Sequence, residues 1–95
     1  LNRLTGTFIE IYSRADKDLD TFLASDDLGQ SERLMHNISG VAGSFGATTL
    51  MNISREIEHQ LQNGTTNIAP LRDTFGSELE NLIRAIEQLH QRHVA

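Results

Sequence analysis

The chain of 95 residues contains no cysteine and no tryptophan, and it has a single proline. Without cysteine it can form neither a disulfide framework nor a zinc site with thiolate ligands. No apolar run approaches the roughly 20 residues that a membrane-spanning helix needs, and no signal peptide is visible. We therefore expect one small globular domain over residues 1–95, without direct membrane contact.

Clusters of basic residues are also missing. The formal net charge is −5, with 13 acidic against 8 basic residues, whereas a nucleic-acid-binding surface normally carries a basic patch. We expect no nucleic-acid partner. Walker loops, dinucleotide fingerprints and nucleophile elbows are absent as well. The segment should therefore not be a kinase by itself, and whether it belongs to an enzyme stays open.

What the sequence does contain is a helical pattern, because apolar residues recur at three- and four-residue spacing in four segments. The segments are predicted at about 2–24, 28–45 and 48–63, and from about 67 towards Val94. Their apolar stripes are, in order, Phe8, Tyr12, Ala15, Leu19 and Phe22; Leu34, Ile38, Val41 and Phe45, flanked by Met35 and Ala42; Leu50, Ile53, Ile57 and Leu61; and Leu71, Phe75, Leu79, Leu82, Ile86 and Leu89.

Residues with strong boundary preferences separate these segments. Asp27, followed by Gln30 in the capping-box position, suits the start of the second helix, and Gly46 suits its end. Thr48 is a candidate cap for the third helix, and Pro70 suits the first turn of the fourth. Four amphipathic helices joined by short loops predict an all-α fold, an antiparallel up-down four-helix bundle.

The stretch HNISGVAGSFG, residues 36–46, contains two glycines inside the second helix. Each glycine there destabilises the helix by roughly 1 kcal/mol relative to alanine. On a helical wheel, His36, Ser39, Gly40 and Gly43 fall opposite the apolar stripe. We interpret this as a face kept open so that a docking partner can approach His36. Alternatively, the glycines accommodate a neighbouring helix and His36 is an ordinary surface histidine.

These residues resemble the histidine phosphotransfer domain of bacterial phosphorelays. That family carries His-x-x-Lys-Gly, followed by small residues and a second glycine, on the second helix of a four-helix bundle. The matching stretch here is HNISGVAGSFGATTL. In it, His36 falls on the phosphorylated histidine, Gly40 on the motif glycine and Gly43 on the later small position. The rest of the register is carried by Phe45, Gly46, Ala47 and Leu50, and by the hydrophobic–acidic pair Ile57 and Glu58.

The resemblance implies that His36 accepts a phosphoryl group from a receiver-domain aspartate and passes it to a response-regulator aspartate. Neutral imidazole is a competent nucleophile near pH 7 because the ordinary pKa of histidine is about 6.5. Glu58 is the candidate to orient the ring through Nδ1, unless it is simply a solvated helix residue. The domain would need no cofactor, since Mg²⁺ is expected in the partner receiver.

The expected partners are receiver domains of response regulators and of hybrid kinases, bound by a monomeric domain through a partly apolar surface. Ile9, Ile11 and Leu23 could each belong to this surface or to the core. The chain begins with Leu1 and not with methionine, which favours a domain excised from a hybrid sensor kinase over a free-standing protein. The expected location is cytoplasmic, including the cytoplasmic side of an inner-membrane kinase.

One position departs from the family motif, because Ser39 stands where the family has lysine. We expect Ser39, Gly40 and Gly43 near the phosphoryl group or the docking surface. Arg33, one turn before His36, is proposed to replace part of the missing positive charge. Alternatively, serine is a tolerated variant, or transfer is slow or lost.

Two other readings remain open from the sequence. The chain could be a docking module that binds receivers without carrying phosphate, or a bundle that dimerises to bury an apolar face. His90 and His93 have a spacing that suits two metal ligands on one helical turn. Because no third ligand is evident beside them, we expect no metal site.

Overall fold

The computed structural model describes the backbone of residues 3–65 and 67–94, and side-chain burial for residues 8–65 and 67–89. Five helices account for nearly all of this backbone: α1 Arg3–Tyr12, α2 Ala15–Ala24, α3 Leu28–Ser44, α4 Thr48–Gln62 and α5 Ala69–Val94. Helix α2 packs against α3 and α5, and α4 packs against the same two helices. Short connections reverse the chain between successive members. The predicted all-α, up-down four-helix bundle is therefore confirmed, with α2–α5 as its members.

The first predicted helix is interrupted between Tyr12 and Ala15, so the prediction of one continuous helix over 2–24 is wrong. Asn2 lies outside the described residues. Arg14 has φ −115° and ψ 21° and precedes α2. Asp16 and Asp18 lie in the first turn of α2, where their charge favours a helix N-terminus. The break lets α1 place the buried Phe8 edge-on against Phe45 at the end of α3, with ring centroids 5.4 Å apart.

Local side-chain and backbone chemistry determines where α3 begins and ends, and the predicted cap of α4 is wrong. The Asp27 side chain accepts a hydrogen bond from the Gln30 backbone N–H at 3.2 Å and caps α3. Gly46, at φ +73°, ends the turn after α3 in a left-handed conformation that glycine adopts without strain. Thr48 is not the cap of α4: Ala47 holds that position, without a side-chain cap bond, and Thr48 is the first helical residue.

The core of the bundle is formed by residues from all five helices and the loop before α5. Leu89, predicted in the stripe of the last helix, is instead 50% exposed, because it lies near the helix end, away from the packed stripe. The side chain of Val94 lies outside the described residues. The buried apolar residues are Phe8, Ala15, Leu19, Met35, Ile38, Ala42, Leu50, Ile57, Leu61, Ile68, Phe75, Leu79 and Ile86.

Helix α3 is rotated relative to the wheel drawn from its sequence. Met35, Ile38 and Ala42 are fully buried, whereas the predicted stripe residues Leu34 and Val41 are only partly buried. Buried serines extend the inward face, and Ser31 Oγ donates to the Asp27 carbonyl at 3.0 Å. Because such local bonds satisfy the hydroxyls, small polar residues allow α3 to pack closely against its neighbours.

An ion pair between α2 and α5 ties two members of the bundle together. Arg72 Nε and Nη2 donate to the two Asp20 carboxylate oxygens at 2.7 and 2.8 Å, and Asp16 lies 3.6 Å from Nη2. The hydrogen bond to Asp20 raises the pKa of Arg72 above its ordinary value, against an opposing effect of burial. Gly76 leaves room for this guanidinium, because a Cβ there would lie 2.8 Å from Arg72 Nη1.

Candidate functional site

His36 projects from the middle of α3 into solvent. Its side chain is 73% exposed, and its Nδ1 lies 3.3 Å from Oε2 of Glu58 on α4. Glu58 is itself largely covered, with a side-chain exposure of 19%. The packing of α4 on α3 thus holds a carboxylate beside one ring nitrogen and leaves the rest of the imidazole accessible.

The carboxylate determines which ring nitrogen is available for chemistry. An ionised carboxylate only accepts hydrogen bonds, so its position beside Nδ1 favours the tautomer with the proton on Nδ1. The lone pair is then on Nε2, the nitrogen at the far end of the ring. An exposed imidazole whose tautomer and orientation are biased in this way is a suitable nucleophile.

An open depression of about 440 Å³ surrounds the histidine, formed between α3 and α4. Arg33, predicted from its spacing alone, lines this depression together with His36 and Glu58. Sequence reasoning missed Gly29, Glu32 and Gln62, which also line it. Gln62 follows Glu58 by four residues on α4, and this spacing could have placed it there once Glu58 was chosen.

Ser39 does not share the exposed face of His36, so its predicted outward orientation is wrong. The residue is only 5% exposed, and its Oγ donates to the His36 carbonyl at 2.8 Å. The rotation of α3 described above turns position 39 towards the bundle. In this arrangement the Ser39 hydroxyl is already used by the backbone.

The two helical glycines differ in their surroundings. Gly40 is exposed, and a Cβ built there would meet nothing within 4 Å. A Cβ at Gly43 would lie 3.2 Å from Met51 Sδ of α4. Gly43 therefore accommodates the neighbouring helix, as the alternative interpretation of the sequence has it. Gly40 instead lies on an open face.

Other kinds of site find little support in the described part of the chain. Among those residues, no group of three histidine, aspartate or glutamate side chains is arranged to hold a metal ion. The side chains of His90 and His93, considered above as a metal pair, lie outside the described residues. Over the same described ranges, none of the helices has both the length and the apolar character required to cross a bilayer.

Within the described residues, the fold and site define a helical bundle with an exposed histidine, His36, beside a carboxylate on the neighbouring helix. The family model of the Hpt domain matches residues 3–92, and the chain belongs to this family of histidine phosphotransfer domains. Hpt domains act in phosphotransfer of two-component signalling and interact with receiver domains in phosphorelays. No curated protein and no solved structure matches the chain significantly.

Proposed function

We propose that His36 is the phosphorylated residue of this Hpt domain, and that it relays a phosphoryl group between receiver-domain aspartates. The observation that carries the proposal is the exposed imidazole with Glu58 beside Nδ1, 3.3 Å away. This arrangement leaves Nε2 free for in-line attack. Phosphoryl transfer depends mainly on positioning and charge stabilisation, which two docked surfaces can supply together.

The Nε2 lone pair attacks phosphorus, the new N–P bond forms, and the bond between phosphorus and the aspartyl oxygen breaks. The receiver carboxylate leaves with the electron pair. The proton stays on Nδ1, and Glu58 offsets the positive charge that develops on the ring. The return step reverses these events with a second receiver, and the Mg²⁺ that assists is expected in the receiver, with no cofactor in this domain.

The docking surface is proposed beside His36, where α1, α2 and α3 meet. Ile11 is 57% exposed, whereas Ile9 and Leu23 are partly buried against the core, which leaves Ile11 as the patch residue of the three. A groove next to it is lined by Tyr12, Phe22, Leu34 and Arg33, among others. Arg33 lines both this groove and the depression beside His36, so the groove adjoins the proposed nucleophile.

Arg33 is proposed to supply part of the positive charge that the family's lysine provides. Its support is the depression that it shares with His36. We propose that the domain acts as a monomer, either free-standing or as part of a hybrid sensor kinase. Its proposed location is cytoplasmic, because phosphorylated receivers must reach it there.

A transfer assay tests the proposal. The domain is mixed with a panel of phosphorylated receivers, and an acid-labile, alkali-stable label is sought on the wild type and on His36→Gln. Label on the wild type alone is the expected result. The second candidate is a docking module without phosphate, favoured by Ser39 in place of lysine. Receiver binding without any label would support that alternative and refute the relay.

A further inference from the structure

Two stripes of residues face each other across the exposed junction of α3 and α4, which we call the seam. The α3 stripe contains His36, Gly40 and Gly43. The α4 stripe contains Met51, Arg55, Glu58 and Gln62, at the three- and four-residue spacing of one helical face. Two contacts fix how the stripes align: Glu58 lies beside His36, and Met51 lies beside Gly43.

From this alignment we infer that Arg55 lies at the level of Gly40 along the seam. The two contacts are seven residues apart on each helix: residues 36 and 43 on α3 pair with residues 58 and 51 on α4. The numbering rises on α3 and falls on α4, as it must for antiparallel helices. Gly40 lies four residues after His36, and Arg55 lies three residues before Glu58. The axial distance from Glu58 to Arg55 is about 4.5 Å. Arg55 is exposed, and it makes no ion pair with any other residue for which the structure describes a side chain.

The surface of α3 at Gly40 is open. Gly40 has no side chain, and the volume that a Cβ would occupy has no atom within 4 Å. A long, flexible arginine side chain can therefore cross above Gly40 towards the far end of the imidazole. The position that the family fills with lysine, 39, is turned into the bundle here, so a positive charge beside the phosphoryl group has to come from another position.

The charge balance of the depression favours a second cation. Its lining contains two carboxylates, Glu32 and Glu58, and one guanidinium, Arg33. A phosphoryl group on His36 would add nearly two further negative charges near neutral pH. Repulsion between the phosphoryl group and these two carboxylates would destabilise phosphohistidine unless a cation offsets it. Arg33 alone leaves an excess of negative charge.

We propose that Arg55 is a phosphate-binding residue that reaches across Gly40 to the phosphoryl group on His36. Together with Arg33 it takes over the role of the lysine missing at position 39. This inference rests on the proposed phosphorylation of His36. Arginine suits the task because its guanidinium presents several N–H donors to phosphate oxygens.

The test uses the whole 95-residue domain and phosphoramidate as a small phosphodonor, so that no receiver surface contributes. Nε2 attacks the phosphorus of phosphoramidate, and the amine leaves as ammonia after taking up a proton. The variants are Arg55→Gln, which removes the charge, and Arg55→Lys, which keeps it. Arg84→Gln is the matched control, because Arg84 is an exposed arginine on α5 whose ion pair to Glu80 is local.

Arg55→Gln should lower the equilibrium level of phosphohistidine about two- to fivefold at low salt, the range expected for an exposed ion pair. The pKa of the phosphoryl group, followed by ³¹P NMR, should rise, because the cation no longer favours the dianion. Arg55→Lys should retain most of the wild-type level, and the difference should shrink at high salt. A merely structural role of Arg55 would not move the phosphoryl pKa.

Two results would overturn the inference while leaving phosphorylation of His36 intact. One is an Arg55→Gln variant that matches the wild type in phosphohistidine level and phosphoryl pKa. The other is an Arg84→Gln variant that lowers the level and raises the phosphoryl pKa as much as Arg55→Gln does. Absence of label on the wild-type His36, from phosphoramidate and from receivers alike, would overturn the proposed function and this inference together. Circular dichroism of each variant verifies that the bundle is folded.

Discussion

Gly40 is the position where stability and function should respond in opposite directions. It lies inside α3, is exposed, and has open space where a Cβ would be. Gly40→Ala should therefore gain the helix-propensity difference of about 1 kcal/mol without a steric penalty. For a domain of this size, that gain corresponds to a rise in Tm of about 4–8 °C. The measurement is thermal or urea unfolding of the two proteins under identical conditions.

The same substitution should weaken the relay. An added methyl group one turn after His36 displaces a docked receiver, and transfer rates are sensitive to small misplacements of the reacting groups. We expect transfer from a receiver to slow several-fold, whereas labelling by phosphoramidate, which needs no docked receiver, should fall at most by the loss of about two- to fivefold given for Arg55→Gln. Gly43→Ala is the matched control for stability, because its Cβ would lie 3.2 Å from Met51 Sδ, which should cancel part of the propensity gain.

Two outcomes would refute this reasoning about Gly40. If Gly40→Ala is no more stable than the wild type, the space around position 40 is not open. If the variant is more stable and transfers from receivers at the wild-type rate, the exposed face is not kept free for a partner. The glycine would then have no functional reason to be there.

Further predictions concern the ring partner, the α2–α5 ion pair and a buried hydroxyl. Glu58→Ala should slow phosphorylation of His36 by phosphoramidate with little change in Tm, and Glu58→Gln should retain more activity than Ala; equal rates for all three proteins would contradict the orienting role. Arg72→Ala should lower the free energy of unfolding by about 1 kcal/mol, a value discounted for partial exposure, and urea unfolding measures it. Gly76→Ala should stabilise the Arg72→Ala protein by about 1 kcal/mol but the wild type by less, because the methyl group would displace the guanidinium; additive effects in a double-mutant cycle would disprove the contact. Ser54→Ala should stabilise the fold by about 1 kcal/mol, since Ser54 Oγ is buried without a partner among the described residues, and an unchanged or lowered urea midpoint would contradict this.

The sequence was sufficient for the last three helices, the cap at Asp27 and the turn at Gly46, because these depend on spacing and local hydrogen bonds; it did not predict the break between α1 and α2. It was insufficient for the rotation of α3. Hydrophobicity assigns the inward face to large residues such as Leu34 and Val41, whereas the close packing of α3 uses Ser31, Ser39 and Ala42. A serine hydroxyl bonded to its own helix is buried at little cost, and hydrophobic patterns do not register it.

Contacts between distant residues were also beyond the sequence. Glu58 was chosen by resemblance, and its 3.3 Å approach to His36 depends on the alignment of α3 and α4. The Asp20–Arg72 bond joins residues 52 positions apart, and no local pattern indicates it. The same contact gives a reason for a glycine at position 76, inside α5, because a Cβ there would lie 2.8 Å from Arg72 Nη1.

The open seam has a consequence for partner selection. A protein that recognises its substrate in a pocket encodes selectivity in the walls of the pocket, which usually also support the fold. Here the surface around His36 consists of side chains such as Arg33, Asn37 and Arg55 that are exposed and do not belong to the apolar core. Exchanging these three residues should change which receiver the domain prefers while its melting behaviour stays the same, so this part of the proposed docking surface can vary without a cost to the fold.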